Sequence, residues 1–314
     1  MHFCDLCNSF LTSKQHLVDT RELSPSSFRD YHNTCSRLVE VFGRSRLVDD
    51  LAAGDFETLR RSLSSTRGPV ALGNEIQRVR SVFKYGYEAG VVDTPIRFGP
   101  GFKKPNRRMI RQARHANGPR MFEAGELRTI IDSAPQPLRA MTLLGINAGF
   151  GQSDIGSLSV AALDLDGGYV NHPRPKTVMP RRCPLWSETV GAIREVLECG
   201  QHPRDDADRD IAFLTTQGRR WSRVTASGSP VDCLGHEFAK LLRRLGLKRE
   251  KVSFYALRHT TETIGGEAKD QVALDHIMGH VRGDMASVYR ERISDDRLKA
   301  VTDTVHAWLF GDVE

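Results

Sequence analysis

A phenol, a guanidinium and an imidazole follow one another at short intervals in the last third of the sequence, as Tyr255-Ala-Leu-Arg258, then Gly279-His280, then Tyr289. Arg258 and His280 are 22 residues apart, and His280 and Tyr289 are nine apart. A lysine, Lys176, stands upstream in RPKTVMPRRCPLW. Each residue alone has an ordinary reading: a tyrosine on a helix is half-buried packing, an arginine is a surface ion partner, and a lysine in a turn is a solvated cation. Together they suit attack by a hydroxyl on a phosphate ester. Such attack builds negative charge on the nonbridging oxygens, so fixed donors must be aimed where that charge develops. A guanidinium is always charged and its fork matches phosphate bidentately. A phenol with a pKa of about 10 needs cationic neighbours or a base before it becomes a good nucleophile.

In order and spacing these residues resemble the tyrosine recombinase (phage integrase) family of site-specific DNA recombinases, over roughly Ser24 to Leu309. The resemblance implies that Tyr289 is the nucleophile, that Arg258 and His280 donate to the scissile phosphate, and that Lys176, on a mobile hairpin, protonates the leaving 5′ hydroxyl as general acid. Tyr255 stands where the family's box commonly begins with His, and a phenol can still donate to phosphate. His259, Tyr255 and His280 are the candidates to activate Tyr289. The implied product is a 3′-phosphotyrosyl ester that a second strand reverses, with neither a nucleotide cofactor nor a metal required. The implied partners are duplex DNA and further copies of the chain, as a tetramer on two DNA sites.

One departure stands out. The family carries another arginine in a stretch like T-G-L-R-x-S-E-L, where this chain reads AGFGQSDIGSL and places Gly151 at that position. Losing one preorganised donor can cost about 2.7 to 4 kcal/mol. Arg181, Arg182 or His259 could fill the gap, or Gln152 could supply a neutral substitute. The alternatives to a recombinase are an integrase-like DNA-binding protein with impaired catalysis and a type IB topoisomerase-like enzyme.

The elements that must position these residues read as mainly α with a small antiparallel β-sheet, an α+β class. Residues 24–93 show helical periodicity: a helix capped by Ser26 or Ser27 and ended by Gly43, a second over Phe56 to Leu63, and a third with Ile76, Val79, Val82, Phe83 and Tyr87 on one face. This is a helical DNA-binding (core-binding) domain by resemblance. Residues 94–119, rich in Pro, Gly and Asn, read as a linker, whose Lys103, Lys104, Arg107, Arg108, Arg111 and Arg114 suit a phosphate backbone. Residues 120–314 form the catalytic domain. Two helices open it, extended pieces between Asp164 and Leu185 make the small sheet, and helices resume to the end. The last of these, DDRLKAVTDTVHAWLF, is either a core helix or a segment that docks on a neighbouring protomer. Residues 1–23 are expected to be a short N-terminal segment, ordered or disordered.

Composition sets the limits. The chain has 314 residues, enough for two domains, and 45 Lys and Arg against 39 Asp and Glu give a formal charge of +6, which favours an anionic partner. Six scattered cysteines form no disulfide framework and suit a reducing compartment. Cys4 and Cys7, with His32 and Cys35, could supply four zinc ligands, but chance spacing is the better account. No run approaches the ~20 apolar residues that cross a bilayer, and the start lacks a signal pattern, so a cytoplasmic location is expected.

Overall fold

The structure is a computed structural model that describes residues 1–200, 202–225, 227–281 and 283–311, with backbone alone at 286 and 288. By contact it divides into two units, Met1–Gly118 with Val224–Pro230, and Pro119–Arg223 with Val231–Glu314.

The first unit is helical: α1 (Phe3–Asp19), α2 (Pro25–Phe42), α3 (Ala53–Thr66), α4 (Pro69–Glu88) and α5 (Arg107–His115). Of the two readings of the N-terminal segment, the ordered one holds and the disordered one does not, because Phe3, Leu6, Cys7 and Phe10 recur at helical spacing and all four are buried. Cys7 and Cys35 lie together in this core; the hydrogen bond between them and burial push the Cys7 thiol up. His32 is exposed, so these residues pack as core rather than converging as zinc ligands. Helix α2 is capped by Ser24, not Ser26 or Ser27, because Pro25 fits the first helical position with its fixed φ and missing N–H. The 94–119 stretch is also more than a linker. Phe102 is fully buried, Phe98 stacks on it with ring centroids 5.6 Å apart, and both pack around Phe56. Tyr87, expected on the buried face of α4, is 48% exposed.

The second unit runs α6 (Ala124–Ser133), α7 (Leu138–Asn147), α8 (Gln152–Gly156), β1 (Leu163–Asp164), β2 (Tyr169–Val170), β3 (Cys183–Pro184), α9 (Ser187–Glu198), β4 (Ser222–Val224) and β5 (Pro230–Asp232), whose Val224–Pro230 connection counts with the first unit, then α10 (Cys233–Arg244), α11 (Ala256–Gly265), α12 (Gln271–Met278), α13 (Met285–Val288) and α14 (Asp295–Phe310). Strands β1, β2 and β3 form an antiparallel sheet with Val170 opposite both Leu163 and Cys183; β4 and β5 form a second pair. Helix α7 is buried almost all round and packs against α6, α9, α11 and α14. Helix α14 is a core helix of its own unit. Leu298, Val301, Val305 and Leu309 are buried, Trp186 Nε1 donates to Thr302 O at 3.1 Å, and Arg128 donates to Leu309 O at 2.7 Å. Among the described residues no helix is long and apolar enough to cross a membrane.

Candidate active site

Helix α11 carries Arg258 one turn after Tyr255, its N-terminal cap. The helix is seated closely on α7: a Cβ at Gly145 would lie 2.6 Å from Leu257 Cδ1, and Thr261 Oγ1 donates to Ile146 O at 2.8 Å. This seating sends Arg258 inward, where it is 3% exposed. It donates to Gly149 O at 2.7 Å and to Met278 O, the last residue of α12. Both carbonyls come from tight turns. Gly149 and Gly279 have φ of +63° and +62°, and a Cβ at Gly279 would lie 2.7 Å from Arg181 Cδ, so glycine is required for conformation and for space.

Residues 174–179, between β2 and β3, fold over the Gly279 turn. Arg174 Nη1 donates to Gly279 O at 3.3 Å and Thr177 Oγ1 to the same oxygen at 3.4 Å. Lys176 is exposed on this turn. His280 follows Gly279; its N–H donates to Asp275 O at 2.8 Å, and its Nδ1 lies 3.4 Å from Asp275 Oδ1 and 3.6 Å from Glu262 Oε2. Three successive residues, Met278, Gly279 and His280, therefore gather Arg258, Arg174 and an imidazole.

Beneath them lies a second buried cation. Arg181, 3% exposed, donates to Asp154 Oδ1 and to His172 O, each at 2.8 Å, and its guanidinium carbon lies 4.4 Å from the Phe150 ring centroid. The other Asp154 oxygen accepts Gly151 N–H at 2.7 Å. Arg181 Nη1 is buried without a hydrogen-bond partner. Burial lowers the pKa of Arg258, and the charge of Arg174 acts in the same direction; burial also lowers that of Arg181, against the pull of Asp154. Both stay charged, since arginine does not deprotonate in proteins. His172 is pushed down to about 4 by burial and by Arg181, so it is a neutral support at neutral pH.

The other sequence-derived candidates have mixed positions. Tyr255 is 42% exposed, its ring 3.4 Å from where a Cβ on Gly151 would stand, and His259 meets it edge-on at 5.5 Å. Gln152 reaches Asp232 at 3.3 Å, away from the arginines. Arg182 is held by both oxygens of Asp295 at 2.8 and 2.9 Å and lies over the Tyr169 ring at 3.7 Å, where it ties α14 to the sheet. Tyr289, just after the four-residue α13, is 75% exposed. Its neighbours Ser287, Arg290 and Ile293 line a cavity of about 160 Å³ together with Met179, Gly279 and His280. Lys103, Lys104, Arg107, Arg108, Arg111 and Arg114 are exposed on and before α5, in the first unit; Asn106 caps that helix, which buries no residue. Arg174, Asp154 and His172 escaped the sequence reading. Asp154 had a signal in the AGFGQSDIGSL stretch and Arg174 had one two residues before Lys176, though neither carried an assigned role.

The phage integrase family model matches residues 119–294, more than half of the chain, and the chain belongs to that family. No curated protein sequence matches it. Among solved structures, it is similar to the Tn1549 transposon integrase in complex with a circular intermediate DNA, with a TM-score of 0.67 and 15% identity, covering 96% of this chain and 99% of that one. It is also similar to lambda integrase in a dimer bound to a COC′ core site, with a TM-score of 0.66 and 13% identity, covering 94% and 100%. A lambda integrase tetramer bound to a Holliday junction matches with a TM-score of 0.63 and 15% identity, covering 92% and 79%. At these identities the likeness establishes the fold, an integrase fold that is mainly helical with small sheets.

Proposed function

We propose that this phage integrase family member is a site-specific DNA recombinase in which Tyr289 cleaves and rejoins strands. The observation that carries the reading is Arg258, 3% exposed and held by the backbone carbonyls of Gly149 and Met278 rather than by a carboxylate, at the turn that also carries His280. Buried charge without a partner is costly, and an incoming phosphate supplies the missing anion.

In this reading the Tyr289 oxygen attacks the scissile phosphorus and the bond to the 5′ oxygen breaks. The phenol proton passes to an imidazole, His259 or His280, and Lys176 gives a proton to the leaving 5′ oxygen. Arg258 and His280 hold the charge that develops on the nonbridging oxygens. The phosphotyrosyl ester keeps the energy of the broken bond, so rejoining needs no nucleotide. Tyr289 stands exposed in the DNA-free chain and is brought onto the phosphate once the duplex is seated. The basic stretch from Lys103 to Arg114 tracks the backbone of the same duplex. The protein works in the cytoplasm as a homo-oligomer on DNA, with up to four copies, in keeping with the DNA-bound dimer and tetramer of lambda integrase.

Covalent capture tests this. The protein is mixed with a pool of nicked random-sequence duplexes, denatured, and assayed for protein-linked 3′ ends. Wild type yields an adduct and Tyr289→Phe yields none. Salt-sensitive binding without any adduct from wild type would identify a DNA-binding protein instead.

A further inference from the structure

Position 151, where the family places an arginine by resemblance, is a glycine that caps the short α8 and supplies no cation. Three of the substitutes suggested by the sequence are committed elsewhere or stand outside the cluster: Arg182 to Asp295, Gln152 to Asp232, and His259 exposed against Tyr255. Arg181 belongs to the cluster but sits behind Phe150, with its free Nη1 shut off from solvent.

We propose that Arg174, on the turn between β2 and β3, donates to a nonbridging oxygen of the scissile phosphate and so takes the role of the arginine missing at position 151. The assignment rests on the recombinase reading. Arg174 is half-buried, so its guanidinium can meet DNA without unfolding anything. Its contact with Gly279 O is a long one at 3.3 Å, which leaves most of its five N–H donors for a ligand. That anchor lies between Met278 O, which Arg258 holds, and His280. Of the charges acting on Arg258, that of Arg174 is the strongest, as expected for two guanidiniums awaiting one anion. The Arg181–Asp154 pair beneath fixes the Gly151 backbone and props the turn from below. Arg174 also travels with Lys176, so the hairpin that brings the general acid brings the phosphate clamp with it.

The test restores the family residue. A Cβ at Gly151 would lie 3.3 Å from Asp154 Oδ2 and 3.4 Å from the Tyr255 ring, so the backbone takes a side chain there once these neighbours give by a few tenths of an ångström. Single-turnover cleavage of a duplex recovered by covalent capture is measured for wild type, Arg174→Ala, Gly151→Arg and the double variant. Arg174→Ala is expected to cleave about 100-fold more slowly, with most of the rate recovered in the double variant. On the same duplex with a methylphosphonate at the scissile position, Arg174→Ala should fall within about threefold of wild type, because that linkage carries one negative charge fewer and lacks the nonbridging oxygen for a second guanidinium to neutralise. An unchanged rate on the natural linkage, or an equal loss on both linkages without rescue, overturns the proposal. A second measurement needs no cleavage: the guanidinium N–H resonance that disappears in Arg174→Ala should shift together with that of Arg258 as inorganic phosphate is added. If it stays still, Arg174 is not an anion contact. Failure of the recombinase reading looks different, since wild type itself would then form no Tyr289 adduct.

Discussion

Two clusters in this chain set arginines against carboxylates, and they bury opposite signs. In the first unit the acid is inside: Glu75 is 4% exposed and is met by Thr34, Arg37 and Arg78, whose side chains keep 33% (Arg37) and 28% (Arg78) of their surface in water. In the second unit the cations are inside, Arg258 and Arg181; Asp154 is spent on Arg181 and the Gly151 backbone, and Asp275 and Glu262 face His280. A buried acid ringed by half-wet arginines is complete and can tie α2 to α4. A buried guanidinium held by backbone carbonyls, as Arg258 is, keeps its charge for an arriving anion. The sign of the buried charge, more than the presence of ion pairs, separates the structural cluster from the candidate active site.

The sharpest way to break this comparison is to remove one charge from each cluster. Arg258→Ala should slow covalent cleavage about 1000-fold at saturating DNA. Glu75→Gln should cost about 1–2 kcal/mol in denaturant unfolding and leave the cleavage rate of the folded protein unchanged. If Glu75→Gln lowered the rate as much as Arg258→Ala, the two clusters would not differ in kind.

Acid titration gives a smaller effect and is confined to the second cluster. The His172 ring is held neutral by burial and by the charge of Arg181, and its folded pKa of about 4 lies below its ordinary 6.5. The unfolded chain therefore takes up this proton first. The stability that neutral His172 contributes is complete above about pH 6.5 and is lost as pH falls towards about 4, reaching about 2–3 kcal/mol at pH near 4.5. Unfolding curves for wild type and His172→Gln at neutral and acid pH should diverge by that amount. Parallel curves would show that the folded protein does not hold the His172 ring neutral.

The smallest expected change concerns α5. Replacing Arg107 and Arg111 with Ser should reduce the slope of log affinity against log salt by about 0.9 for each lost phosphate contact, without altering cleavage at saturating DNA. An unchanged slope would place α5 away from the duplex.

How legible this was depended on whether the signal was local. Arg258, Gly279, His280 and Tyr289 lie within one short stretch, so their order was readable, and the core stripe of α14 followed from Leu298, Val301 and Val305. The α1 stripe of Phe3, Leu6, Cys7 and Phe10 was equally periodic but was discounted as a chain end. Phe98 and Phe102 carry no periodic signal, since a loop that inserts two rings into a core is not helical. The Arg181–Asp154 pair spans 27 residues, and its depth is a property of packing. Spacing could not show that Arg182 turns outward to Asp295 while its neighbour Arg181 turns inward.

The most direct test of the central claim is to digest the captured covalent complex and locate the attached nucleotide by mass spectrometry. The account predicts a phosphodiester on the Tyr289 side chain, linked to a 3′ DNA end. Attachment to any other residue, or through a 5′ end, would contradict it.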